Sequence, residues 1–193
     1  MAVRGLRLSG NPEADALLSE DPLALLIGMV LDQQVPLEWA FRGPFELFNR
    51  LGERLDAAAI ASMSPDELTA AFAAKPSLHR YPSSMARRVQ DLCIVIESEY
   101  GNDPTRIWSE AKTGEDLLKR VRALPGFGDQ KARIFVALLG KQMGVRPRGW
   151  KEASTPFGDA GSFRSVADIV DEKSLNEVRA FKKAMKAAHK SSK

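Results

Sequence analysis

Cysteine and histidine are nearly absent from this 193-residue chain, which holds one cysteine, Cys93, and two histidines, His79 and His189. A single thiol cannot close an internal disulfide or anchor a four-cysteine zinc or iron–sulfur site. Cys93 sits in the apolar run Leu92-Cys93-Ile94-Val95-Ile96 and reads as a small buried hydrophobe. No metal site built from side chains is expected. Long apolar runs are missing too: the longest, residues 23–31, is too short to span a bilayer. The amino terminus lacks a charged segment leading into a cleavable apolar stretch. A soluble, cytoplasmic protein without a membrane partner is expected. Strand patterning is equally scarce, since no stretch alternates polar and apolar residues convincingly and no repeat is visible.

What is present is ordinary for a globular domain, with 44% hydrophobic and 27% charged residues. The length suits one domain around a shared core. Net charge is +3 with a pI near 9.1, so any basic face depends on how the charges are distributed. Asp21-Pro22 is a helix start, Asp capping and Pro in the first turn. The following LALLIGMVL is apolar nearly all round, as in a helix at the centre of a domain, and it stops at Asp32-Gln33-Gln34. A second helix is expected over about 36–51, interrupted near Gly43-Pro44. Ser64-Pro65-Asp66-Glu67 has the form of a capping box. Helical spacing returns over 83–100, a short helix follows Thr113, and QKARIFVALLGKQMG reads as a strong helix. Beyond Gly144 the chain is loop-like, with a short turn at SVADIV and a last helix from about Ser174. The whole is read as all-α and one domain, 1–193.

One stretch stands out, LPGFGDQKA at 124–132. Glycine supplies backbone angles closed to other residues and allows a partner close to the main chain. The unpaired amides that open the next helix, with its dipole, form an anion site. A DNA phosphate is the natural anion for such a turn, which positions a duplex without reading its sequence. Lys119, Arg120, Arg122, Lys131, Arg133 and Lys141 are nearby in sequence and add positive charge.

In these stretches the chain resembles the helix-hairpin-helix DNA glycosylase superfamily of base-excision repair. The resemblance covers roughly residues 20–145 and rests on LLIGMVLDQQV and LPGFGDQKARIFVALLG. It implies a two-lobed helical fold with double-stranded DNA across a cleft, and a monomeric, nucleoid-associated protein. Leu124, Pro125, Gly126, Phe127, Gly128, Asp129 and Lys131 would form the DNA-binding hairpin. Gln33, Gln34 and Val35 would fill the gap left by an extruded nucleotide, and Gln130, Ile134, Trp150 and Tyr81 are pocket candidates. A monovalent cation at the Leu124 and Gly126 carbonyls is a further implication, and residues 145–193 would complete or cover the fold.

Two departures matter. The family's Schiff-base lysine, where present, falls at Gln130, and Lys131 is one step and about 100° further round the helix. Lyase chemistry is therefore not expected. The catalytic aspartate would fall near Arg148-Gly149, where no acid stands. Glu152 is the nearest substitute and Asp159 the next, while Asp32 and Glu38 read first as cap or surface groups. The lysine-rich end, FKKAMKAAHKSSK, reads as a solvated helix face. A monofunctional DNA N-glycosylase is the leading expectation. A DNA-binding lesion sensor without hydrolysis and a helical protein-interaction domain are the alternatives.

Overall fold

The structure, a computed structural model, describes residues 5–191. Among them every regular element is helical, in keeping with the all-α expectation. The first six helices are α1 (Pro12–Glu20), α2 (Pro22–Leu31), α3 (Leu37–Arg50), α4 (Ala57–Ser62), α5 (Pro65–Ala73) and α6 (Pro82–Tyr100). The Asp21 side chain accepts the amides of Leu23 and Ala24 at 2.8 and 3.2 Å to start α2. Nine of the ten α2 residues are buried, because α1, α3 and α6 all pack around it. At roughly 1.5–3 kcal/mol for each large apolar side chain removed from water, this helix is the main hydrophobic anchor of its surroundings.

The break expected at Gly43-Pro44 does not occur; α3 runs unbroken through both. Proline forgoes one amide donor and strains the preceding turn, but both residues are buried and their contacts outweigh that cost. Gly43 is needed for close approach, since a Cβ there would come within 2.6 Å of the Leu31 side chain. The capping box at Ser64 and Glu67 forms as read and opens α5. Helices α4 and α5 both lie on α6.

The remaining elements are α7 (Arg106–Ser109), α8 (Gly114–Arg122), α9 (Asp129–Gln142), α10 (Trp150–Ala153), a 3-10 turn at Val166–Asp168 and α11 (Glu172–Ser191). Helix α8 packs along α9, and α10 touches both. The Trp150 ring lies directly over Gly140, where any Cβ would overlap it. The 3-10 turn is tied to α9 by Lys141 Nζ, 2.5 Å from the Asp168 carboxylate, and by Gln142, which donates to the carbonyls of Val166, Ala167 and Ile169. One apolar core runs from Leu6 to Val178 through both sets of helices.

Between α8 and α9 the chain turns over residues 123–128. Leu124 and Phe127 are buried, and Phe127 meets Phe135 edge-on at 5.7 Å. Gly126 adopts φ +86°, and a Cβ there would stand 3.1 Å from Val30 Cγ2. Backbone angle and packing both demand glycine. Gly126→Ala is expected to lower unfolding free energy by about 1–3 kcal/mol in urea titration; an unchanged midpoint would contradict this account of the turn.

Candidate functional site

The carboxyl end of α2 and the amino end of α9 border a cleft of about 800 Å³. One side is the loop at 32–35 with Met29 above it. The other carries Gly128 to Lys131 and Ile134, with Pro156, Phe157 and Arg164 beside them, and α11 adds Phe181, Lys182 and Met185.

The loop is fixed from behind. Gln33 Nε2 donates to the Val30 carbonyl at 2.7 Å, its Oε1 accepts from Arg88 at 2.9 Å, and its carbonyl lies 2.9 Å from His79 Nε2. Tyr81 donates its amide to His79 Nδ1 at 3.0 Å, so Nε2 carries the proton and donates to Gln33. Burial holds this histidine below its ordinary 6.5, as expected for a neutral ring whose two nitrogens are both used. Gln33 is thus committed to the loop's own structure. Gln34 is exposed with φ +57°, a left-handed conformation uncommon outside glycine. Of the two glutamines, it is Gln34 whose side chain remains unengaged by the loop.

At the opposite side no side chain caps α9. Its first helical bond runs from the Ala132 amide to the Gly128 carbonyl, and Gly128 is open to solvent with nothing within 4 Å of where a Cβ would stand. The first-turn amides therefore face out of the helix end, the arrangement that attracts an anion. Side-chain charge there is weaker than the sequence suggested. Arg122 and Arg133 both pair with Asp129, Arg120 with Asp116 and Glu110, and Lys141 with Asp168. The Arg133 hydrogen bond, with the Arg122 charge, keeps the Asp129 carboxyl below the usual range. Four of the six expected cations are neutralised within the fold.

Lys131 is the correction with most chemical weight. Its turn along α9 carries it into the cleft, where Nζ lies 3.4 Å from the Val30 carbonyl at the end of α2. Burial pushes its ammonium down to about 8 against the opposing attraction of Asp32. Asp32 shares the cleft, and burial raises its carboxyl while Lys182 and Lys131 pull it back down. From sequence, Lys131 is expected at the phosphate-binding turn without the Schiff-base role and Asp32 first as a cap or surface group; both line the cleft.

Other candidates lie elsewhere. Glu152 and Asp159 are exposed and line no part of this cleft. Both were chosen by distance along the chain, and the short helix α10 carries Glu152 off to the surface. Trp150 packs on Gly140 and borders a separate depression with Lys141 and Arg146. Tyr81 is 47% exposed and contacts His79 outside the cleft lining. Leu124 and Phe127 are anchors of the turn with buried side chains. Gln130 and Ile134 do line the cleft, as do Gln33, Gln34, Val35, Gly128 and Asp129. Arg164, Phe181 and Lys182 carried no sequence signal for this position.

Among the described residues no group of three His, Cys, Asp or Glu side chains is placed to hold a metal, and no helix is long and apolar enough to cross a membrane. No family model, curated protein or solved structure matches the chain.

Two outcomes follow from these environments. With an ammonium near 8, about a tenth of Lys131 is neutral amine at pH 7. Brief acylation or reductive methylation at that pH is expected to modify Lys131 ahead of surface lysines such as Lys183, read by peptide mass spectrometry; labelling of Lys131 at or below the surface rate would contradict it. His79 bears on stability rather than on reactivity. Its folded value lies below 6.5, so the unfolded chain binds the proton first. Stability is therefore full above pH 6.5 and declines as pH falls below it. Denaturant titrations of His79→Gln are expected to lose that part of the pH dependence, and an unchanged pH profile would contradict it.

Proposed function

We propose that the protein binds double-stranded DNA and hydrolyses the N-glycosidic bond of a damaged nucleotide extruded into this cleft. The observation that carries the proposal is the meeting of three features in one cavity. They are the uncapped start of α9, the exposed Gln34 on a braced loop, and the partly desolvated pair Asp32 and Lys131. In this reading α8, the turn at 123–128 and α9 form a helix-hairpin-helix that takes a backbone phosphate. Helices α1–α6 and α7–α11 form two lobes, with the cleft between them. Gln34 and Val35 enter the space vacated by the extruded nucleotide. The Leu124 carbonyl accepts the Phe127 amide and keeps a second lone pair for a monovalent cation.

Asp32 takes the catalytic role that Glu152 was expected to fill. As the C1′–N bond breaks, positive charge develops on the sugar and negative charge departs with the base. An ionised carboxylate in a poorly solvated cleft stabilises that sugar. Water then forms the C1′–O bond and gives up a proton, which Asp32 can accept. Burial raises this carboxyl, and the ammoniums of Lys182 and Lys131 offset part of that rise in favour of the ionised form. The low value of Lys131 supports a second reading: its neutral amine attacks C1′ as the C1′–N pair leaves with the base, a nitrogen proton passes to the departing base, and opening of the C1′–O4′ bond onto a protonated O4′ leaves the imine.

A panel of duplexes carrying uracil, alkylated purines or oxidised bases tests the proposal. Binding is expected to weaken steeply with salt, and at least one base is expected to be released. Asp32→Asn should reduce release by roughly 100-fold or more, with Glu152→Gln close to wild type. Borohydride trapping of a protein–DNA adduct would select the lysine reading. Salt-dependent binding without release of any base would leave a lesion-binding protein, and absence of binding would remove DNA altogether.

A further inference from the structure

Helix α11 is anchored along only part of its length. Ser174 and Val178 are its buried residues, and Arg179 pairs with Glu38 of α3. Phe181 lies under the Arg164 guanidinium at 5.3 Å and, with Lys182 and Met185, faces the cleft. At about 100° per residue, Leu175, Val178, Phe181 and Met185 share one stripe. Arg179, Lys182, Lys183, Lys186 and Lys190 share the adjacent one. The acids of this helix, Glu172 and Glu177, both precede that cationic stripe. Among the described residues none of the four lysines makes an ion pair with a carboxylate within 4.0 Å, and Lys183, Lys186 and Lys190 are exposed.

We propose that this stripe is a rail for the phosphodiester backbone of DNA where the strand leaves the cleft, an inference that rests on the DNA reading above. Charge complementarity and continuity carry it. Lys182 belongs both to the cleft lining and to the stripe, so a strand held at α9 reaches the rail through the same cleft. From Arg179 to Lys190 the stripe extends about 16 Å, the rise of roughly five nucleotides in one strand of a duplex. A lipid surface fits less well. The apolar stripe is largely spent on the core and the cleft, leaving Met185 at 56% exposure, and the rear face is Ala180, Ala184 and Ala187. Interfacial helices need a broad apolar face to bury. Four of the six cations around the α9 turn are paired internally, so the lysines of α11 supply cationic surface that the turn itself lacks.

The test is the salt dependence of duplex binding by fluorescence anisotropy, for the full chain and for Lys183→Gln/Lys186→Gln/Lys190→Gln. A control, Arg54→Gln/Lys75→Gln/Lys112→Gln, removes the same charge elsewhere. The rail variant is expected to reduce the slope of log K against log salt by about 2–3, near 0.9 for each lost phosphate contact, with the control within about 1 of wild type. A rail variant with the wild-type slope, or a control that falls equally, would overturn the rail while leaving DNA binding intact. No binding by the unaltered protein would overturn the DNA reading and the rail with it. Binding to anionic phospholipid vesicles in place of DNA, lost in the rail variant, would assign the stripe to a membrane surface and also overturn it.

Discussion

The end of α2 rests against the start of α9 at Val30, and most of what is chemically distinctive in the molecule depends on that contact. The Val30 side chain fills the space that glycine leaves at 126. Its carbonyl receives Gln33 from the following loop and Lys131 from across the cleft. One residue therefore sets the depth of the turn, the course of the loop and the position of an amine. Moving α2 relative to α9 would disturb all three. Eight further buried residues of α2 and its packing against α1, α3 and α6 make such movement costly.

The same contact sorts charge. Helix α2 presents its negative end to Lys131, and α9 presents its positive end to solvent. An amine is drawn inward to carbonyls and Asp32, while unpaired amides remain outside for an anion. Pairing of Asp129 with two arginines prevents that carboxylate from simply cancelling the helix end. Positive charge in this molecule is thus arranged as two distinct kinds. Backbone amides at α9 give a fixed, directional site, and the lysines of α11 give a longer, adaptable surface. A net charge of +3 reveals neither.

Helix starts with side-chain caps were legible in the sequence, as at Asp21, Ser64 and Thr113, because a cap acts within three residues. The break expected in α3 failed for the complementary reason: burial of Gly43 and Pro44 is a long-range effect that overrides a local signal. Helices α1, α4, α7 and α10 went unread, being short and without a long apolar period. Around the cleft, Gly126 in the turn, Gly128 at the start of α9 and the QQ loop were visible as local chemistry. Lys131 was misjudged because a rotation of 100° has meaning only relative to what faces the helix, and the end of α2 is 101 residues away in sequence. Asp32 looked like an ordinary residue at a helix end, and its burial comes from α9 and α11. The cleft contacts of Phe181 and Lys182 had no local signature at all.

Backbone amide chemical shifts, followed while a short duplex containing a stable abasic-site analogue is added, test the central claim most directly. The account predicts that the largest changes fall on Gly128, Asp129, Gln130 and Lys131 together with Gln34, from both sides of the Val30 junction, and that they saturate together. Changes absent from the start of α9, or confined to a surface away from the cleft, would contradict it.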